Sequence, residues 1–192
     1  MLKKLLLSLT LGTSLFAMHN ASIDLNSDDL ELKANIDMGE INQSDYTDMY
    51  YLSLGLLDVD NKEKTTSLLS AGFMLRQDLS GMQGFKFGIG FIGRYTKVGE
   101  SKHASVPFNA ELVYRLPVNF AMPIVMSGTV SYAPSVLSFK DAKKYFESRA
   151  ELGLQIIEQG TLFVGYRKVE TDFDNADYTY NDAGYVGFKV KF

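Results

Sequence analysis

The 192-residue sequence has no cysteine and no tryptophan, only two histidines and only four prolines. Without cysteine there is neither a disulfide framework nor an acylation site of the lipoprotein kind, so stability has to come from backbone pairing and packing. After the N-terminal stretch no apolar run approaches the roughly 20 residues that a spanning helix needs. A basic surplus is missing as well. The formal charge is −4, and removal of an N-terminal segment containing Lys3 and Lys4 takes it to about −6. A general nucleic-acid binder would carry a basic patch or stripe, so nucleic acid is not expected as a partner.

What is present begins with an export signal. Met1, Leu2, Lys3 and Lys4 precede an almost wholly apolar run from Leu5 to Met18, which is the charged-then-apolar order of a signal peptide. Ala17 marks the expected cleavage, giving residues 1–17 as signal and 18–192 as one mature domain. Ala21 is a second candidate for the cut.

From Leu30 onward the dominant hydrophobic period is two, as in strands with unlike faces. Phe85, Phe87, Ile89, Phe91, Gly93 and Tyr95 share one face, while Lys86, Gly88, Gly90, Ile92 and Arg94 share the other. The same separation recurs over Leu30–Met38, Val106–Leu116 and Ala150–Ile156. Further strands are expected at Ser22–Asn26, Met49–Val59, Leu68–Gln77, Ile124–Tyr132, Thr161–Thr171 and Tyr178–Phe192, about ten in all. Their lengths suit a tilted crossing of an outer membrane. The expected fold is therefore all-β: a transmembrane antiparallel up-and-down barrel of about ten strands, with eight strands plus an N-terminal hairpin as the alternative.

Period two alone does not choose between lipid and water, because a soluble barrel alternates too. The polar faces favour lipid outside. They combine glycine with isolated charges of both signs, at Lys86, Arg94, Glu111, Arg115, Arg149, Glu151 and Arg167. Such residues suit a narrow polar lumen, whereas a lysine or arginine facing mid-membrane lipid costs about 2–4 kcal/mol. A soluble periplasmic barrel is the competing reading. The segments between strands are expected to be short on the side of the termini and long on the other, at Asp58–Ser67, Gly99–Ser105, Ala133–Ser148 and Asp172–Asp177. Within the third of these, Asp141–Glu147 is expected as a short helical turn over the barrel mouth. Tyr50, Tyr95, Tyr114, Tyr132 and Tyr166 lie near strand ends, where interfacial aromatic residues belong.

Three stretches carry a family resemblance. Ser131-Tyr132-Ala133-Pro134-Ser135-Val136-Leu137-Ser138-Phe139, then Tyr145-Phe146-Glu147-Ser148-Arg149-Ala150-Glu151, then Val164-Gly165-Tyr166-Arg167 together resemble the YfaZ family of outer-membrane proteins. The resemblance implies a barrel and brings no catalytic residues or substrate with it. The last strand resembles the signal recognised by the barrel-insertion machinery, with Tyr185, Gly187, Val190 and Phe192 at its alternating positions.

Two kinds of chemistry are worth locating. His103 has Glu100, Ser101 and Ser105 as sequence neighbours, which allows a lipid hydrolase to be imagined, although neighbours in a loop are not a triad. Solvated loop polarity is the expectation there. Two acidic stretches, Asp58, Asp60 and Glu63 in one and Asp172, Asp174 and Asp177 in the other, supply oxygen ligands of the kind hard cations prefer, without an EF-hand spacing. Ordinary solvated loops are again the expectation, so no cofactor and no assigned metal follow.

The functional expectation is a small outer-membrane barrel with a largely filled polar lumen, monomeric, structural or surface-interacting, and in contact with outer-membrane lipids and lipopolysaccharide. A narrow porin-like channel is the alternative.

Overall fold

A computed structural model describes residues 20–41, 49–61, 64–99, 101–117, 122–173 and 177–192. The signal segment 1–17, His19, Glu63, Glu100 and Asp174 lie outside the described residues.

Twelve strands follow one another along the chain: β1 (Asn20–Leu25), β2 (Asp29–Asp37), β3 (Tyr50–Asn61), β4 (Lys64–Asp78), β5 (Phe85–Val98), β6 (Ser101–Ser105), β7 (Phe108–Arg115), β8 (Ile124–Ala133), β9 (Ser138–Lys140), β10 (Ala142–Ile157), β11 (Gly160–Phe173) and β12 (Asp177–Lys191). Ten of them close into an antiparallel ring in the order β4-β3-β2-β1-β12-β11-β10-β8-β7-β5, with β5 returning to β4. Closure satisfies every wall strand on both edges, as a membrane barrel requires. The first strand is a full member of the wall, pairing Asn20–Leu25 with both β2 and β12. This settles the strand count at ten rather than eight plus a hairpin.

The two remaining strands extend the wall at the end opposite the termini. There β6 pairs with the last turn of β5, and β9 pairs with β6. The expected long loops on that side are thus mostly strand. The wall runs to Asn61 and restarts at Lys64, and it runs to Phe173 and restarts at Asp177. The segment Asp141–Glu147 is extended within β10 from Ala142, and the helical turn falls earlier, at Ser135–Leu137. Pro134 has the fixed φ and the missing donor that end β8, so the turn starts directly after it.

Alternation gives the wall its two faces. Leu54, Phe73, Phe91, Leu112, Val130, Leu152, Val164 and Val186 point outward and are exposed, far more apolar surface than a water-soluble monomer normally leaves. Tyr95, Tyr132 and Tyr166 end this belt toward the far side. Beyond them the outward positions turn charged, with Asp58, Asp60, Lys97, Lys168, Glu170 and Asp182. The inward positions of the same strands turn apolar there: Leu57, Val59, Leu68, Val98, Ala133, Tyr145, Val169 and Tyr180 form one buried cluster. The barrel is consequently membrane-like along its belt and soluble-like above it.

Candidate functional site

The lumen carries the functional groups, and it changes character from one end to the other. At the end holding Asn20 and Lys191 it opens as a cavity of about 460 Å³, bordered by Tyr51, Arg76, Lys86, Glu111, Arg115 and Lys189. Arg76 binds Glu111 through Nε–Oε2 at 2.6 Å and Nη2–Oε1 at 3.2 Å, and its guanidinium lies 4.7 Å from the Tyr51 ring centre. Lys86 is loosely paired with Asp78 at 3.9 Å, and Arg115 is exposed. A smaller chamber of about 110 Å³ follows, beside Lys33, Ser53, Arg94, Glu111 and Thr129.

Above that chamber the lumen is filled by an ionic cross-brace. Arg167 on β11 has no exposed surface; its Nη1 meets Asp24 Oδ1 at 2.9 Å and its Nη2 meets Asp29 Oδ1 at 2.5 Å, while Nη1 also pairs with Glu31. Arg149 on β10 meets Glu31 Oε2 at 2.7 Å and Glu147 Oε1 at 2.9 Å. Arg94 on β5 meets Glu147 Oε2 at 2.5 Å. Lys33 adds an ammonium 3.2 Å from Glu31, so Arg94, Arg149, Arg167 and Lys33 balance Asp24, Asp29, Glu31 and Glu147. Charges taken out of water are costly unless each finds a partner, and each charge here has one, with Arg94 Nε buried without a hydrogen-bond acceptor among the described residues. Glu151 sits at the margin, accepting from the Tyr185 hydroxyl at 2.8 Å with Lys189 at 3.8 Å.

Tyr145 joins the ionic layer to the apolar cap, donating to Glu147 Oε2 at 2.7 Å while its ring is wholly buried. A β-bulge in β12 leaves Tyr180 as an extra residue between the partners of Val169 and Glu170, so Tyr180 and Asn181 both turn inward. Asn181 donates to Asp29 and Tyr180 enters the cap.

His103 belongs to this cap, contrary to the expectation of a solvated loop. It is fully buried on β6, with Nε2 2.8 Å from Ser105 Oγ, and with Nδ1 3.1 Å from the Tyr180 hydroxyl and 3.2 Å from Thr171 Oγ1. Because β6 lies beyond the belt, its titration is that of a buried group outside the membrane. Burial, with Arg94 nearby, pushes its pKa down to about 4. Its partners are hydroxyls, not a carboxylate, and Ser105 is buried with it. The pair therefore holds the cap together.

Of the predicted lumen residues, Arg94, Arg149 and Arg167 meet in the brace, Glu151 flanks it, Glu111 and Lys86 border the open cavity, and Arg115 is at its rim. The acids that complete the brace went unsingled in the sequence. Asp29 lies between the expected strands Ser22–Asn26 and Leu30–Met38, and Glu147 in the expected helical turn; the regular alternation Glu147, Arg149, Glu151 is the available signal for the latter. The C-terminal positions divide between faces: Tyr185 and Gly187 point into the lumen, whereas Val190 follows the outward register and Phe192 is exposed. Asp172 faces outward with Lys144 at 3.9 Å, and Asp177 is its cross-strand neighbour. Among the described residues no group of three acidic or histidine side chains is placed to hold a metal.

No curated protein matches the chain significantly. A solved porin structure, NanC in a rhombohedral crystal form, is similar at 11% identity with a TM-score of 0.41, over 92% of this chain and 99% of that one. The family model described as YfaZ precursor matches residues 4–192. With a match over essentially its whole length, the chain belongs to the YfaZ family.

Proposed function

We propose that this protein is a closed outer-membrane barrel with a structural or surface-interaction role, and that it does not pass solutes. One observation carries the reading. Arg167, Tyr145 and His103, which occupy the lumen between the inner cavity and the far end, have no surface accessible to water. An open pore would leave its lining side chains wet.

Since Asn20 and Lys191 pair at one end and the strand ends that lead to barrel termini remain on the periplasmic side after insertion, the open cavity faces the periplasm and the apolar cap faces outward. The belt contacts outer-membrane lipids, and the charged outer wall stands among lipopolysaccharide headgroups. The barrel acts as a monomer delivered by the barrel-insertion machinery, for which the β12 end is the recognised segment.

The inner cavity is the feature that favours the alternative, a narrow porin-like channel, because it admits water to the lumen from that end. It ends blind against the brace. A lipid hydrolase would need Ser105 and His103 to meet a lipid, and their burial argues against that role. Reconstitution into planar bilayers tests the proposal: a closed barrel gives no reproducible conductance step. Cell fractionation together with heat-modifiable migration tests the location.

A further inference from the structure

Where the belt gives way to charge, one stretch of wall departs from the rest. Two other outward lysines face carboxylates: Lys168 lies 2.7 Å from Glu170, and Lys144 lies 3.9 Å from Asp172. On the β5–β6 hairpin, Lys97 and Lys102 stand directly opposite each other in the ladder, both exposed. Lys140 follows on β9, opposite His103 and also exposed. Among the described residues, Asp141 is the neighbouring carboxylate, and it accepts the Lys102 backbone N–H at 2.8 Å. None of the three ammonium groups forms an ion pair among the described residues.

This arrangement is unfavourable by itself. Like charges directly opposite destabilise a strand pair. An anion held between Lys97 and Lys102 offsets their repulsion. Immediately below, Tyr95, Ala104 and Phe139 are in register across the three strands, and both rings are about half exposed. Lys97 and Lys102 are thus the next outward residues above Tyr95 and Ala104, at the level where the apolar belt ends, whereas Lys140 shares the register of the inward His103. An amphiphile with an anionic head at the rim and acyl chains running down the belt matches both rows at once.

We propose that Lys97 and Lys102, with Tyr95 and Phe139 beneath them, form a binding site for the phosphorylated headgroup of lipid A, the membrane anchor of lipopolysaccharide. The inference rests on the outer-membrane reading, with the capped end external. Ammonium groups hold the phosphate as point charges, and the rings pack against the first segments of acyl chain. Neutralising the cross-strand lysine pair stabilises the hairpin when the lipid is bound.

The test is native mass spectrometry of the full barrel in detergent, titrated with bisphosphorylated lipid A and with the same lipid after removal of both phosphates. The wild type binds the phosphorylated lipid preferentially. Replacing both lysines by glutamine (K97Q/K102Q) weakens that binding by roughly thirtyfold, whereas K144Q/K168Q, which alters the acid-paired lysines, leaves it within about threefold. Heat-modifiable migration verifies that each variant is folded. Undiminished binding by the folded K97Q/K102Q variant, or equal binding of the dephosphorylated lipid, overturns the site. Failure of the underlying reading is a different result: fractionation that finds the protein outside the outer membrane.

Discussion

Arg149 on β10 and Glu31 on β2 are 118 residues apart in sequence and meet at 2.7 Å inside the barrel. Along one arc of the ring three strands, β1, β12 and β11, separate their parent strands, so the contact crosses the lumen and does not follow the wall. Glu31 also takes Arg167 and Lys33, which makes it the hub of the brace. Removing the hub leaves buried cations without their partner, a change that costs about 3–5 kcal/mol. Glu31→Ala should accordingly lower the unfolding midpoint in urea, followed by circular dichroism in detergent micelles. Arg167→Lys should recover little of an Arg167→Ala loss, because a single ammonium cannot span Asp24 and Asp29 as the guanidinium fork does.

The outward belt predicts a loss of different origin. Leu112 is exposed on β7 between Phe87 on β5 and Gly128 on β8. Leu112→Arg should cost about 2–4 kcal/mol in lipid vesicles and much less in unfolding experiments confined to detergent with a flexible, hydrated rim. Equal cost in both media would argue that this face does not meet a bilayer core.

The cap should give the outer end an acid sensitivity. His103 is held neutral, with its folded pKa near 4 against about 6.5 when unfolded. Between those values the unfolded chain binds more protons, so stability is complete above about pH 6.5 and falls as pH drops toward 4, by on the order of 3 kcal/mol. In His103→Gln the slope over that window should flatten, even though the variant is less stable at neutral pH. An unchanged slope would mean that other groups set the acid response.

Tight strand approach makes a further distinction. A Cβ on Gly90 would come within 2.1 Å of the Phe73 carbonyl oxygen, while one on Gly128 would meet nothing closer than the Arg149 carbonyl at 3.9 Å. Gly90→Ala should reduce the heat-modifiable fraction and cost roughly 1–3 kcal/mol, and Gly128→Ala should be tolerated.

The wall was legible in the sequence because its signal is local: alternation such as Phe85, Phe87, Ile89 and Phe91 states both the strand and its lipid side. The ends of the strands were not. Val59 and Val169 continue the same period with the opposite sign, apolar inward and charge outward, and nothing in a strand's own residues marks the height at which lipid gives way to water. Asp58 and Asp172 consequently suggested loops where there is wall. The brace was half legible. Its arginines stand out on polar faces, but their partners Asp24, Asp29 and Glu31 come from strands far away in sequence, and only ring closure brings β1 and β2 beside β11 and β12. The burial of His103 is hidden for a related reason: β6 is strand because β5 and β9 pair with it, a non-local cause that loop composition conceals.

Single-channel recording in planar bilayers tests the closed barrel most directly. Purified wild-type protein, shown to be folded by heat-modifiable migration, should insert without a stable conductance level. A variant lacking the brace and cap contacts, Arg149→Ala combined with Tyr145→Ala, should show openings if it folds. A reproducible, voltage-stable step from the wild type would contradict the account.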